Sequence, residues 1–535
     1  MTQPSVGDVA LPASAVRTSA TVGAWTLVSR ITGLGRVIAI GAVLGPTFLA
    51  NSFVATNTVP NVAYLAIAGT VLSAVVVPAI VRATAVSGLG GAADLLGRLA
   101  RFLLVMTGAA SALLLLLSPL IARLLTFGIA DAATRNRAEQ LTVVMLLFVI
   151  PQVVFYMIAA LGAAAQQARG HFALAAAAPA VENIGVIATV GAVGLIYPHG
   201  VDMGDAPLGL PIVLCAGSTL AVALHMALQL FGAARAGLPI RPRLRNRPDP
   251  STREITRRIR QSFVVAACPI TAYFAVLVLA GTVPGGVLVL QMAYNVYSLP
   301  VALGARAVST AVLPGISAAA VGTDRTAFNE RVREGIAYTL VVSLPPLLLM
   351  VAFAAPTANI LANGQLRVGH LIQALAGCLV VLAVAQFAAG LHEVGRQGLF
   401  ARLDIRGPRT AAALSLGATL AVGLFALLAL AGTDRLIGLG AAVLARDVIA
   451  ATTVILLMRR MLSPEALLDR RQLGSAALAA TVMLPVVGAG WTVIEVLDGN
   501  RVQELLVMGS TAVLALGVFV LTLRRYGTRS QMGSA

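Results

Sequence analysis

The sequence predicts an all-α polytopic membrane protein of about fourteen transmembrane helices, built as two six-helix lobes related by a parallel repeat plus two C-terminal helices. Three observations predict it. Of 535 residues, 58% are hydrophobic and only 11% charged, with a mean hydropathy of +0.91, whereas a soluble chain carries roughly a quarter charged residues. The apolar residues gather in runs of about 20, the length that crosses a hydrocarbon core as helix. The charge between those runs is lopsided enough to fix an orientation.

In chain order the runs predict helices at 18–44, 48–81, 97–124, 140–166, 172–197 and 208–234, then 262–281, 285–320, 332–356, 368–394, 408–432, 435–458, 473–495 and 502–523. The first 16 residues are small and polar and lack a basic region, so the first helix is expected to stay in the membrane. The second and eighth runs exceed one straight span. Pro60 and Pro300 inside them predict a break, a tilt or an extension past the bilayer, and with Gly33 and Gly35 of the first helix they are the candidate hinges.

There is no Lys, so all 38 basic residues are Arg. With both termini cytoplasmic, only Arg123, Arg135, Arg137, Arg367, Arg435 and Arg501 fall on the far side. Arg30, Arg36, Arg306 and Arg446 lie inside helices, and the large remainder is cytoplasmic. Flipping the chain or dropping one helix destroys this asymmetry. The net charge of +17 is therefore a topology signal and not a nucleic-acid footprint.

A basic stretch, 237–261, holds Arg241, Arg243, Arg245, Arg247, Arg253, Arg257, Arg258 and Arg260. It reads as a cytoplasmic linker, with a headgroup-binding arm as the alternative. It separates an N-terminal lobe (1–236) from a C-terminal lobe (262–460), with 461–535 holding the last two helices and a tail. The lobes echo each other. Ser73 to Pro78 resembles Ser309 to Pro314, with Asn57 and Pro60 upstream of one and Asn295 and Pro300 upstream of the other. The copies sit six helices apart, an even number, so the repeat is parallel.

Cys215, Cys268 and Cys378 lie far apart inside apolar runs, and the five His are scattered, so neither a disulfide framework nor a metal site is predicted. P-loop, GxSxG and HExxH motifs are absent. The chain is not expected to be an enzyme or to need a cofactor. Charge inside the bilayer is then the pointer to function, since an Arg at a helix centre costs about 2.5–3.5 kcal/mol unless a wet cavity or a partner receives it. Arg30, Arg36 and Arg306 are the candidate contacts for an anionic substrate, with Asn51, Asn57, Asn61 and Asn295 as polar wall. Glu182 is a candidate ion-pair partner for one of those Arg, or a proton site. Arg446 and Asp447 are adjacent and point different ways on a helix, so they are expected to be structural partners of other helices or to lie close to a membrane face.

These residues carry a resemblance. Ser29 to Arg36, Asn51 to Asn61 and Ser73 to Pro78 resemble the N-terminal signature of the MurJ/MviN family, a branch of the multidrug/oligosaccharidyl-lipid/polysaccharide exporter superfamily. Phe172 to Asn183, Leu299 to Pro314 and Phe400 to Pro408 resemble later segments of that family in the same order. The resemblance implies a flippase of the bacterial cytoplasmic membrane for lipid II, the polyprenyl-pyrophosphate-linked peptidoglycan precursor. Two lobes would rock around a cationic cavity formed mainly by the first, second, seventh and eighth helices. Membrane lipids and cell-wall synthesis proteins would be the other partners, with no nucleic acid. Arg guanidinium suits a pyrophosphate because it offers two parallel donors. The chain departs from the family pattern at Val37 and Asn51, where acids are usual, and at Tyr64, Leu65 and Asn295, where basic residues are usual. Segment 408–432 lacks the family's acidic sodium ligand. These departures keep other readings open: a flippase for another lipid-linked glycan, a non-transporting scaffold, or a small-molecule exporter. A drug exporter is disfavoured by the Arg, because such cargoes are often cationic.

Overall fold

The computed structural model describes residues 13–68, 76–198, 201–242, 250–321, 325–461, 470–497 and 500–527. Among these residues there are helices and no strand: α1 (Ala13–Leu44), α2 (Phe48–Ala68), α3 (Val77–Leu116), α4 (Ser118–Thr126), α5 (Ala132–Val149), α6 (Gln152–Ala168), α7 (Ala173–Ile196), α8 (Gly209–Arg235) and α9 (Pro250–Ala280). There follow α10 (Gly286–Pro300), α11 (Arg306–Val321), α12 (Arg325–Ala352), α13 (Ala354–Leu361), α14 (Gly369–Ala401), α15 (Arg406–Ala429), α16 (Asp434–Met461), α17 (Arg470–Leu497) and α18 (Arg501–Gly527). This is the all-helical form that lipid demands, because every backbone donor must be satisfied within its own segment.

Among the described residues thirteen stretches are long and apolar enough to cross a membrane. The sequence reading adds α2, whose hydropathy three asparagines dilute. At Gly88 the chain turns inside α3 with φ +65°, a conformation glycine adopts at no steric cost. The second predicted helix therefore ends in the first arm of α3, and the third begins in its second arm.

Prolines interrupt two of the predicted helices. The single helix predicted at 97–124 is broken at Leu117, just before Pro119, into α3 and α4. The one predicted at 140–166 is broken at Pro151 into α5 and α6. Pro lacks the N–H that would continue either ladder. Pro300 ends α10, and a π turn, Val301–Ala305, joins it to α11, so the eighth span is broken as expected. Pro60, by contrast, sits within a continuous α2. Gly33 and Gly35 do not interrupt α1 either; a Cβ on Gly33 would come within 3.4 Å of the Asn183 amide, so this glycine serves close packing on α7. Residues 243–249 of the basic stretch, and the Ser73 end of the first repeat copy, lie outside the described residues. The stretch beyond 250 is not loop but the first turns of α9.

Packing follows the two halves. α1 lies on α7, α7 and α6 on α8, and α3 on α6; in the second half α14 and α15 lie on α16, α12 on α14 and α15 on α9. α17 and α18 pair with each other and lean on α12, and Arg501 ties α18 to Asn363 and Ala362 beyond α13. At the Arg-poor end one continuous apolar core joins both halves, running through Leu44, Leu49, Phe53, Leu146, Leu288, Leu366 and Leu436. At the Arg-rich end the cores are separate, one around Leu96, Leu99 and Leu161 and the other around Phe328, Val332 and Val394. Two halves fused at one end and apart at the other leave a cleft between them.

The fused end is also tied by polar contacts. The Asn51 amide donates to Val283 O at 2.8 Å and to Gly281 O at 3.5 Å, and its Oδ1 accepts the Val287 N–H at 3.2 Å. Gly364 (φ +54°) approaches α1 so closely that a Cβ would lie 2.5 Å from Ala42 O.

Candidate functional site

A cavity of about 1510 Å³ occupies the cleft. α1 contributes Arg30 and Arg36, α2 contributes Asn57 and Asn61, and α7 contributes Glu182. From the other half come Asn295 and Tyr294 of α10, Arg306 of α11, His392, Glu393 and Arg396 of α14, and Arg446 and Asp447 of α16. The structure thus brings together Arg30, Arg36, Arg306, Asn57, Asn61, Asn295 and Glu182. Asn51, expected with them, is instead 3% exposed and spent on the tie between the halves.

In the first half the charges centre on Glu182. Arg36 Nη1 lies 3.7 Å from its Oε1, and the Tyr156 hydroxyl donates to the same oxygen at 2.8 Å. His225 Nδ1 sits 2.8 Å from Oε2. The sequence reading offered Arg30, Arg36 or Arg306 as the partner, and Arg36 is the one. It missed His225, which lies 43 residues away on α8 with no local signal linking it to Glu182. Asn183 faces the other way and donates to Ser29 O and Thr32 Oγ1, fastening α7 to α1.

In the second half Arg446 and Asp447 both bond a neighbouring helix, as expected, and the structure adds a contact between the two. They pair with each other: Nε donates to Oδ1 at 2.8 Å and Nη2 to Oδ2 at 3.1 Å. The Arg stem is long enough to fold back on its neighbour, and burial removes the water that would otherwise compete. Tyr297 of α10 donates to Asp447 Oδ2 at 2.7 Å and accepts from Arg446 at 3.1 Å. Tyr273, Tyr294 and Tyr297 form a run of rings, with centroids 4.3 and 5.1 Å apart, and the Arg446 guanidinium lies 5.8 Å from the Tyr294 ring. One turn along α14, Arg396 donates to both oxygens of Glu393 at 2.7 and 2.8 Å. Their i, i+3 spacing was the signal that would have found them.

These pairs set the cavity's electrostatics. Glu182, Glu393 and Asp447 are each matched with an Arg. Among the described residues neither Arg30 nor Arg306 makes an ion pair or a side-chain hydrogen bond, and both are exposed to the cleft. They come from opposite halves and repel each other electrostatically. Two guanidinium groups that face one another across a wet cleft favour a multivalent anion between them. No cluster of metal-ligating side chains occurs among the described residues.

Comparison with known proteins shows the family and the fold. A profile of the family described as "Lipid II flippase MurJ" matches residues 40–512. A "Probable lipid II flippase MurJ" of Rhizobium tropici is 26% identical over 520 residues, covering 94% of this chain and 91% of the relative. A "Lipid II flippase MurJ" of Burkholderia cenocepacia is 23% identical over 394 residues, covering 72% of this chain and 73% of the relative. Among solved structures, a lipid II flippase MurJ in an inward closed conformation superposes with a TM-score of 0.71 at 17% identity, over 94% of this chain and 99% of that one. An inward-facing multidrug resistance MATE family transporter of the MOP superfamily follows at 0.58 and 15% identity, over 82% and 94% of the two chains.

Proposed function

The chain belongs to the lipid II flippase MurJ family, and from that premise we propose that it carries lipid II, headgroup first through the cleft, across the bacterial cytoplasmic membrane by alternating access. The pyrophosphate is held between Arg30 and Arg306, with Arg36 as third donor, and Asn57, Asn61 and Asn295 meet the polar head. The polyprenyl tail stays in the bilayer beside the protein. The observation that carries the reading is the pair of unmatched Arg on opposite halves of one cleft. An anion between them draws the halves together at the open end, which is the movement that alternating access requires. Cavity size points the same way: about 1510 Å³ exceeds the roughly 300–1,000 Å³ of small-molecule pockets, and suits a glycan head better than a drug. The orientation, with the Arg-rich open end and both termini cytoplasmic, follows from the charge asymmetry.

The test is replacement of the host's own protein by Arg30→Ala or Arg306→Ala, with lipid II assayed on each leaflet by its accessibility to an external reagent. Lipid II is expected to accumulate on the cytoplasmic leaflet with each variant while membrane levels of the protein stay normal. Full outward transport by both variants overturns the cationic-cavity reading. Accumulation of a different lipid-linked glycan keeps the flippase and changes its cargo.

A further inference from the structure

The Glu182 cluster contains two contacts of unequal strength, and the difference indicates which one yields. Arg36 is the loose, wet partner: 3.7 Å from Glu182, with its side chain 29% exposed. His225 is the tight, dry one: 2.8 Å from Glu182, with its side chain 11% exposed. An anion arriving in the cleft competes with Glu182 for Arg36 alone, since His225 is not on the cavity wall. Once Arg36 turns to the anion, Glu182 is a carboxylate in a low-dielectric site without its cation, and such a group takes up a proton or finds another positive charge. The histidine in contact with it offers a second ring nitrogen that can receive that proton.

We propose that Arg36 and Glu182 form a latch that an anionic pyrophosphate head opens, with one proton taken from cavity water onto the Glu182–His225 pair as Arg36 leaves. The inference rests on the cationic-cavity reading above. The step balances. Arg36 keeps its charge and exchanges Glu182 for the anion, while the solvent proton leaves the pair as an imidazolium facing a carboxylate. When the anion departs, Arg36 returns and the proton is released. Among the described residues the following charged or titratable groups face Glu182 or stand just behind its partners. α1 presents Arg36, α6 presents Tyr156 and α8 presents His225; beyond them Tyr64 stacks on Tyr156 at 5.9 Å, and Tyr273 of α9 lies within electrostatic range of Arg36. Tyr156 already donates its proton to Glu182, so it steadies the carboxylate and does not replace the lost charge. The exchange harvests no proton gradient. It trims by one the negative charge that travels with the head, and it makes anion binding tighter as pH falls.

The experiment uses the full chain in lipid nanodiscs, titrated with farnesyl pyrophosphate by calorimetry at pH 7 in two buffers of different ionisation enthalpy, which counts protons taken up per molecule bound. The wild type is expected to take up close to one proton more than Glu182→Gln or His225→Gln. Glu182→Gln keeps a side chain of the same shape but frees Arg36, so it is expected to bind the probe about tenfold more tightly; a merely structural Glu182 would give weaker binding. Thermal unfolding confirms that each variant is folded, and either variant alone suffices for the comparison. Equal proton uptake in wild type and variants overturns the latch while leaving the cavity reading intact. No binding by the wild type overturns the cavity reading, and the latch falls with it.

Discussion

Replacing Asn51 with Ala removes the polar tie between the two halves at their fused end. Two good hydrogen bonds are lost, to Val283 O at 2.8 Å and from Val287 N at 3.2 Å, and the contact to Gly281 O at 3.5 Å adds little. Asn51 is 3% exposed, so the Val287 N–H is stranded without water at about 1–3 kcal/mol, while Val283 O keeps the Gly286 N–H at 2.8 Å and loses one net hydrogen bond, about 0.5–1.5 kcal/mol. A central value near 3 kcal/mol is a factor of about 150, and a chain that rests 99:1 closed at this end becomes roughly evenly divided. Asn51→Asp keeps the acceptor for Val287 and loses the donor to Val283, so it falls between. The assay is pulsed electron–electron distance measurement between spin labels at Ala132 and Ala431, exposed positions on opposite halves, in a background lacking the three native cysteines. The alanine variant is expected to show a second, longer distance of comparable weight. A distribution that superposes on the wild type refutes the claim that this tie holds the end shut.

Asp447→Asn strands the buried Arg446 charge and is expected to cost about 3–5 kcal/mol, read as a lower unfolding temperature in detergent; Tyr297→Phe costs about 1 kcal/mol. Leu403 is 87% exposed and holds φ +58° after α14, at the place where the first half has Gly170 at φ +76° after α6. Leu403→Gly is expected to stabilise by up to about 1 kcal/mol, and no gain in the same melt counts against strain at this turn. At the start of α5, the hydrogen bond from Thr134 to Asp131, at 2.7 Å, holds that carboxyl below the usual carboxylate range. A lowered value means the cap is present above the ordinary carboxylate range and lost as pH falls through the folded value. Hydrogen exchange at the first turn of α5 should therefore speed up in acid, and should not do so in Asp131→Asn.

The helical spans and the set of Arg within them were legible because each is a one-dimensional property: apolar length, and charge within an apolar run. Pairing was not. His225 reaches Glu182 and Tyr297 reaches Asp447 only because distant helices pack, and no spacing rule connects them. The mutual pairing of Arg446 and Asp447, beside their expected contact with another helix, was missed for a related reason. The rule that neighbours on a helix diverge concerns Cβ directions, and a side chain as long as Arg escapes it once burial rewards the contact. Asn51 looked like cavity wall because it shares α2 with Asn57 and Asn61. Six residues from Asn57, it lies about one and two-thirds turns away, hence on a different face and at a different depth.

The same distinction separates what holds the protein together from what it offers a ligand. Each half spends its acids on its own Arg: Glu182 on Arg36, Glu393 on Arg396, Asp447 on Arg446. Those pairs are internal to a half, so they survive any movement of one half against the other. Arg30 and Arg306 belong to different halves and make no ion pair among the described residues, although Glu393 lies within electrostatic range of Arg306. Their repulsion grows as the open end closes and is relieved only by an anion between them. Under the proposed function these two Arg would oppose closure of the empty protein and favour closure of the loaded one. That is the differential contact a ligand must make to shift a conformational equilibrium, and an acid placed beside either Arg would erase it.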